Sequence, residues 1–293
     1  MSLPLRPFGA TGLHVSALGV GGGRLDDLTD DEARSLLDRA LDLGCNLVDT
    51  ARGYGRSEER IGRWLPGRRD RVVICTKGGY GVPGVPDWTA ACITAGVDAA
   101  LGRLATDRID VFFLHSCPVS VLEQGEVTFA LEEAVRAGKV RAAGYSGEGE
   151  ALAFAVRSGR FAVIETSVNI CDQRVLGEVL PEATRAGLGV IAKRALANAP
   201  WRFPERPVGD YAEVYWERLQ AMGIDPGELA WDELAIRFSA FAPGVSTAIV
   251  GMASLTHLER GARSVGRGPL PEAQVAAIHH AFRVNDRGWI GQV

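Results

Sequence analysis

The chain has 293 residues, 46% of them hydrophobic and 23% charged; such ordinary fractions exclude a disordered, fibrous or disulfide-dense polypeptide and leave two modest domains or one large barrel. A formal net charge of -4 supplies no cationic field for a phosphate backbone, so nucleic acid is not the expected partner. Five cysteines without a C-x-x-C pair, no basic and apolar leader, and no apolar run near ~18 residues point to a cytoplasmic protein with reduced thiols and no membrane anchor.

Residues 6–9 and 13–16 flank Ala10-Thr11-Gly12, which predicts a small hairpin at the start of the chain. An apolar run follows at 17–20, with Gly19, Gly21, Gly22 and Gly23 close behind. A dinucleotide-binding fingerprint would need a third glycine where Arg24 stands and a helix opening there, so that reading is set aside. Thr29-Asp30-Asp31-Glu32 is a capping box, in which the Thr hydroxyl and the Glu carboxylate satisfy free amides of a first helical turn. Ala33, Leu36, Leu37, Ala40 and Leu41 then share one helical face, and Gly44 stops the helix.

Short apolar runs recur at 46–51, 72–76, 109–115, 140–145, 163–168, 189–192 and 247–250. They are continuous rather than alternating and rich in Val, Ile or Phe, as parallel strands covered on both faces must be. Between them, Arg68, Arg69 and Arg71 read as a solvated turn, and Ile93, Val97, Ala100, Leu101 and Leu104 mark a second amphipathic helix. Asp225-Pro226 is expected to open another, with proline at its first position. Eight strands each followed by a helix, with no linker, predict an α/β fold: a (β/α)8 TIM barrel with a short N-terminal hairpin, one domain over 1–293. Periodicity alone leaves a doubly wound open sheet as the alternative. Residues 197–223, the longest stretch without a strand, follow the seventh strand, and in a barrel they lie over the active face and shape ligand access.

At the C-terminal ends of the second, third and fourth runs lie Asp49, Lys77, just past 72–76, and His115. In a barrel these ends share one rim, with neighbouring strands ~5 Å apart, and Tyr54 lies in the loop just after Asp49. Lysine is scarce: of 32 basic residues only Lys77, Lys139 and Lys193 are lysine, which singles out one kept at the end of a buried strand. The chemistry follows from the charges. An ammonium beside Tyr54 is expected to lower the phenol towards the working pH, Asp49 to hold the ammonium, and His115 to orient a carbonyl oxygen. Together they describe carbonyl reduction, with a cofactor supplying the hydride. Cys117 reads as a small loop residue near this pocket, and His279-His280, lacking ligand spacing, predicts no metal site. Trp88, Trp201 and Trp289 are candidates for lining the cleft or for ordinary packing.

In these motifs the sequence resembles the aldo-keto reductase superfamily. The anchors are LGVG at 18–21, NLVDTARGYGRSEERIG, CTKGG and IDVFFLHS, followed in the family's order by RAAGYSG, ETSVN, GVIAKRALANAPW and AIVGMASLTHLERGARSV. The resemblance implies a barrel binding NADP(H), with Asp49, Tyr54, Lys77 and His115 as its catalytic tetrad. It places Ser146, Gly147 and Glu165 at the nicotinamide carboxamide, and Lys193, Arg194, Ala195 and Leu196 beside the cofactor. Gly251, Met252, Ser254, His257 and Arg260 would hold the adenosine and phosphates, and Gly22, Gly23 and Arg24 would approach the nicotinamide end.

The sequence departs from the family where Glu165 replaces a usual glutamine, Gly147 an asparagine, Lys193-Arg194 an aromatic, and Arg260-Gly261 a Glu-Asn pair. These changes leave NAD(H) possible beside NADP(H). An ionised Glu165 would favour the cationic oxidised cofactor; a carboxylate capping a backbone amide is the alternative. The expected function is an oxidoreductase interconverting a small aldehyde, ketone or sugar carbonyl and its alcohol. The alternative is a cofactor-sensing regulatory subunit like the channel-associated members of the superfamily. Substrate and oligomeric state are open.

Overall fold

The computed structural model describes residues 3–292. The chain opens with the expected hairpin, β1 (Leu5–Pro7) antiparallel to β2 (His14–Ser16), paired through Arg6 and Val15. Then come β3 (Leu18–Gly21), α1 (Asp30–Asp42), β4 (Leu47–Asp49), α2 (Ser57–Trp64), β5 (Val73–Gly78) and α3 (Ala90–Leu104). The middle third holds β6 (Ile109–His115), α4 (Val119–Gln124), α5 (Glu126–Arg136), β7 (Val140–Ser146), α6 (Gly149–Ser158) and β8 (Val163–Ser167). After α7 (Arg174–Glu178), α8 (Leu180–Arg185) and β9 (Gly189–Lys193), α9 (Glu213–Met222) and α10 (Trp231–Ala240) precede β10 (Thr247–Gly251). Two helices, α11 (Leu255–Gly266) and α12 (Glu272–Asn285), end the described chain. Strands β3 to β10 are parallel and close on themselves where β10 pairs with β3. The open-sheet alternative is thereby excluded.

Strand geometry decides what the barrel contains. Side chains alternate between the lumen and the helical jacket, and one phase fills the lumen with Leu47, Val73, Cys75, Val111, Phe113 and Val163. Continuing that phase to the strand ends reaches Asp49, Lys77, His115, Ser146, Glu165 and Lys193, so one apolar column per strand terminates in a polar head. The other phase packs against the helices in the larger apolar cluster, with Val48, Ile74, Phe112, Leu114 and Ile164. Gly144 makes room in the lumen: a Cβ there would sit 2.5 Å from the Phe113 ring.

The hairpin plugs the N-terminal end of the barrel. Phe8 is fully buried against Gly189, where a Cβ would approach its ring to 2.6 Å, and Ala10 N donates to Gly187 O at 2.8 Å. Helix α1 begins as predicted: Glu32 N donates to Thr29 Oγ1 and Thr29 N to the Glu32 carboxylate, while Gly44 takes φ 88° beyond the end. No helix among the described residues is long and apolar enough to cross a membrane.

Several local expectations are corrected. Asp225-Pro226 opens no helix; the Asp225 carboxylate accepts from Gly227 N at 2.8 Å in an Asx turn, and α10 starts only at Trp231. A short 3-10 helix, Gly22–Asp27, does begin after the glycines of β3, closed where Leu28 N donates to Leu25 O. The arginine turn is only partly solvated: Arg71 is exposed as expected, but Arg69 pairs with buried Asp110 at 2.9 Å and Arg68 with Asp38 at 2.8 Å, tying the loop before β5 to its neighbours. The second expected strand stops at Asp49, although Thr50 N still donates to Cys75 O at 2.8 Å and Arg52 N to Lys77 O at 3.1 Å, while the Thr50 hydroxyl donates to Ser57 Oγ.

Candidate active site

The strand ends converge on Lys77. Its ammonium is buried, with 1% of the residue exposed, and donates to both carboxylate oxygens of Asp49 and to Thr50 O at 3.1 Å. On its other side lies Glu165 Oε2 at 3.2 Å. The Tyr54 ring covers the ammonium at 5.4 Å, with Phe113 at 5.8 Å beneath. Tyr54 and His115 meet edge to face, with ring centroids 6.1 Å apart. The four residues singled out from the sequence therefore form one cluster, and the structure adds a second carboxylate to it.

Two carboxylates share one ammonium, and the electrostatics follow. Burial disfavours the Lys77 ammonium, but the charges of Asp49 and Glu165 outweigh it and keep Lys77 protonated. Burial pushes Asp49 above the carboxylate range and Glu165 adds to the push, whereas Lys77 and Lys193 hold Glu165 ionised against its own burial. The expectation that Tyr54 is brought down towards neutrality is not met. Lys77 does pull the phenol down, but burial and the charges of Asp49 and Glu165 prevail and push it up to about 12. Burial, aided by Lys77, lowers His115 to about 4, so its imidazole is neutral at physiological pH.

His115 has a partner that sequence reasoning missed. The Tyr80 hydroxyl lies 2.9 Å from His115 Nδ1, and the two rings are 5.6 Å apart. The available signal was GGYG directly after Lys77: an aromatic between glycines, presented by the loop leaving the third barrel strand. Trp88 does border this cleft, 6.0 Å from the Tyr80 ring. Trp201 stacks on Trp231 as a packing residue, whereas Trp289 packs on Phe282 and Arg218 and also borders a cavity lined by Glu148, Ser167 and Asp172.

The residues expected around a nicotinamide fall into two groups. Ser146 and Glu165 are neighbours in register on β7 and β8; Ser146 Oγ is buried with no hydrogen-bond partner, and the buried Glu165 Oε2 faces only the Lys77 ammonium, 3.2 Å away. A hydroxyl donor beside a carboxylate acceptor matches the C=O and NH2 of a carboxamide, so this pair fits the group. Gly22 lies against Asp49 O, Gly23 faces the Tyr54 ring, and Arg24 lies against Gly251, which pairs with Gly21. Gly147 cannot be the family's asparagine here, because its Cβ position is 2.5 Å from the Tyr145 hydroxyl, which donates to Cys117 O.

The second group is engaged by the protein. Lys193 lies 3.3 Å from Glu148, a buried anchor that also accepts from Ser167 N and Oγ. Arg194 donates to Ser167 Oγ and, at 3.0 Å, to the Tyr211 hydroxyl, its guanidinium over the Tyr211 ring. Ala195 O accepts from Ser239, and Leu196 packs against the core. Ser254 caps α11 by accepting from His257 N, Met252 is buried, and Arg260 is ion-paired with Asp232 of α10.

The sequence model of the aldo/keto reductase family matches residues 17–282. The chain belongs to this family. Among curated relatives, this aldo-keto reductase is 36% identical over 161 residues to 6-dehydroglucose reductase of Novosphingobium aromaticivorans, a match spanning 49% of this chain and 53% of that relative. It is 30% identical to D-threo-aldose 1-dehydrogenase of a Pseudomonas species, over 72% of this chain and 76% of the relative. Among solved structures, the holo form of an aldo-keto reductase from Bacillus halodurans superposes with a TM-score of 0.85 at 27% identity, covering 95% of this chain and 96% of that one. Oxidoreductase chemistry on a nicotinamide cofactor and a small carbonyl substrate belongs to the family as a whole.

Proposed function

We propose that this aldo-keto reductase uses NADP(H) to interconvert an aldehyde, ketone or sugar carbonyl and its alcohol, with Tyr54 donating and accepting the proton. The observation that carries this reading is the buried Lys77 ammonium, paired with Asp49 and lying under the Tyr54 ring opposite His115. When bound, the nicotinamide supplies the hydride. Everything else is the work of the chain's own residues.

Ser146 and Glu165 would hold the carboxamide of the bound nicotinamide. His115 is neutral and orients the substrate oxygen by a hydrogen bond. Tyr54 holds its proton firmly while the site is at rest, and releases it when negative charge builds on the carbonyl oxygen above it. The phenolate that results is stabilised by the Lys77 ammonium, which lies 5.4 Å from the centre of the Tyr54 ring. In the reverse direction the same phenolate accepts the alcohol proton. The sugar-directed names of the two relatives favour a polyhydroxylated substrate among the carbonyl classes. Five free, buried cysteines suit a cytoplasmic setting.

Tyr54→Phe tests the assignment. Turnover with NADPH and a panel of aldehydes, ketones and sugars is expected to fall at least about a hundredfold, while NADPH affinity stays within about twofold. Retained turnover rejects the role of Tyr54. A wild-type protein that binds NADPH but turns over nothing in the panel favours the sensing subunit instead. Parallel assays with NADH decide the cofactor.

A further inference from the structure

Tyr80 stands outside the four residues that meet at Lys77, yet the loop carrying it is built for one placement. Gly79 has φ 125°, and a Cβ there would fall 2.1 Å from the Trp88 ring, so a glycine is required on both counts. The loop is closed by Trp88 N donating to Gly79 O at 2.8 Å. It is fastened by Gly81 N donating to the Asp87 carboxylate at 2.8 Å and by Arg52 donating to Gly81 O. The Tyr80 ring is thereby held between Trp88 and His115, with its hydroxyl 2.9 Å from Nδ1.

A neutral imidazole has one nitrogen that donates and one that accepts, and the bond made by one nitrogen sets the role of the other. A phenol is a good donor and a poor acceptor, whereas an unprotonated imidazole nitrogen is a strong acceptor. The favourable pairing therefore has Tyr80 O–H donating to Nδ1, which leaves the ring proton on Nε2. The opposite tautomer would set an N–H against a weak acceptor and leave the phenol proton without a partner in the contact.

We propose that Tyr80 is a positioning residue that holds His115 in the Nε2–H tautomer, so that the imidazole presents a neutral N–H donor to the oxygen of the substrate. The functional half of this inference rests on the carbonyl-reductase reading, because only there does the tautomer matter: a ring with its lone pair forward would repel a carbonyl oxygen.

Protein labelled with 15N-histidine tests the tautomer directly by long-range proton–nitrogen correlation, the His115 signals being identified by their loss in His115→Asn. The expected wild-type ring carries its proton on Nε2, and Tyr80→Phe is expected to give a mixed or inverted pattern. A wild-type ring protonated on Nδ1, or a pattern unchanged in Tyr80→Phe, overturns the proposal. Should Tyr80→Phe fail to fold by circular dichroism, a wild-type ring protonated on Nδ1 still overturns the proposal. In steady state Tyr80→Phe is expected to lower kcat about tenfold with KM for the cofactor within twofold; an unchanged kcat overturns the positioning role. A wild-type protein inactive on every carbonyl but showing the Nε2–H ring removes the carbonyl-reductase reading while supporting the tautomer assignment.

Discussion

Glu165 brings a second negative charge beside Lys77, and its consequences divide between cofactor and acid. A carboxylate at the carboxamide position attracts the cationic oxidised nicotinamide more than the neutral reduced form, so Glu165→Gln is expected to lower the NADP+ to NADPH affinity ratio roughly fivefold. Titration calorimetry of both cofactors measures it, and an unchanged ratio leaves Glu165 a merely structural carboxylate. The same charge helps to raise the Tyr54 phenol, and removing it lowers that pKa. Because reduction needs the protonated phenol, the alkaline limb of the reduction profile is expected to move to lower pH in Glu165→Gln. Lys77→Met leaves both carboxylates buried without a cation and is expected to cost about 3–5 kcal/mol at neutral pH by urea unfolding. In that variant Asp49, already raised in the wild type, rises further and Glu165 rises above its unfolded value, so stability is lost as pH rises and the deficit narrows at pH 5. At this scale the sequence was a good guide to Asp49, Lys77 and His115, because strand ends can be counted. It was a poor guide to the Tyr54 pKa, because burial and a distant carboxylate outweigh the one neighbour that spacing reveals.

Loops and helix ends show where local signals suffice. Thr29 to Glu32 formed the expected cap because both hydrogen bonds lie within four residues. Asp225-Pro226 misled because an Asx turn and a helix start use the same residue types, and the apolar face that decides between them begins only at Trp231. Tyr80 was hidden for a related reason: the partners of its loop, Arg52 and His115, come from other elements. That loop depends on Gly79. Gly79→Ala sets a methyl group against Trp88 at a backbone angle unsuited to an L residue, and is expected to destabilise the protein by about 2 kcal/mol and to depress kcat along with it. Urea midpoints and steady-state rates measured together check both; a neutral effect on each shows that the loop yields easily.

For the whole molecule, the repeating strand and helix signals were enough to read the barrel, its order and the rim on which chemistry gathers. How the opposite end is sealed was legible only as a hairpin, since nothing in residues 5–16 names Gly187 or Gly189 as their neighbours. Phe8→Ala is expected to cost about 3–5 kcal/mol with kcat unchanged in the folded fraction, as the seal is remote from Lys77; a change in kcat at constant fold content contradicts that separation. The seal also bears on synthesis. The hairpin is made before its docking sites, because Gly187 to Gly189 and the carbonyls of Ala240 and Val245 that accept from Arg6 come some 170 to 240 residues later. At ordinary elongation rates of about 5–20 residues per second, the nascent hairpin waits roughly 10 to 50 seconds for a place to dock. For that interval Phe8 has no partner to bury it, and the barrel itself closes only when β10 has been made and can pair with β3.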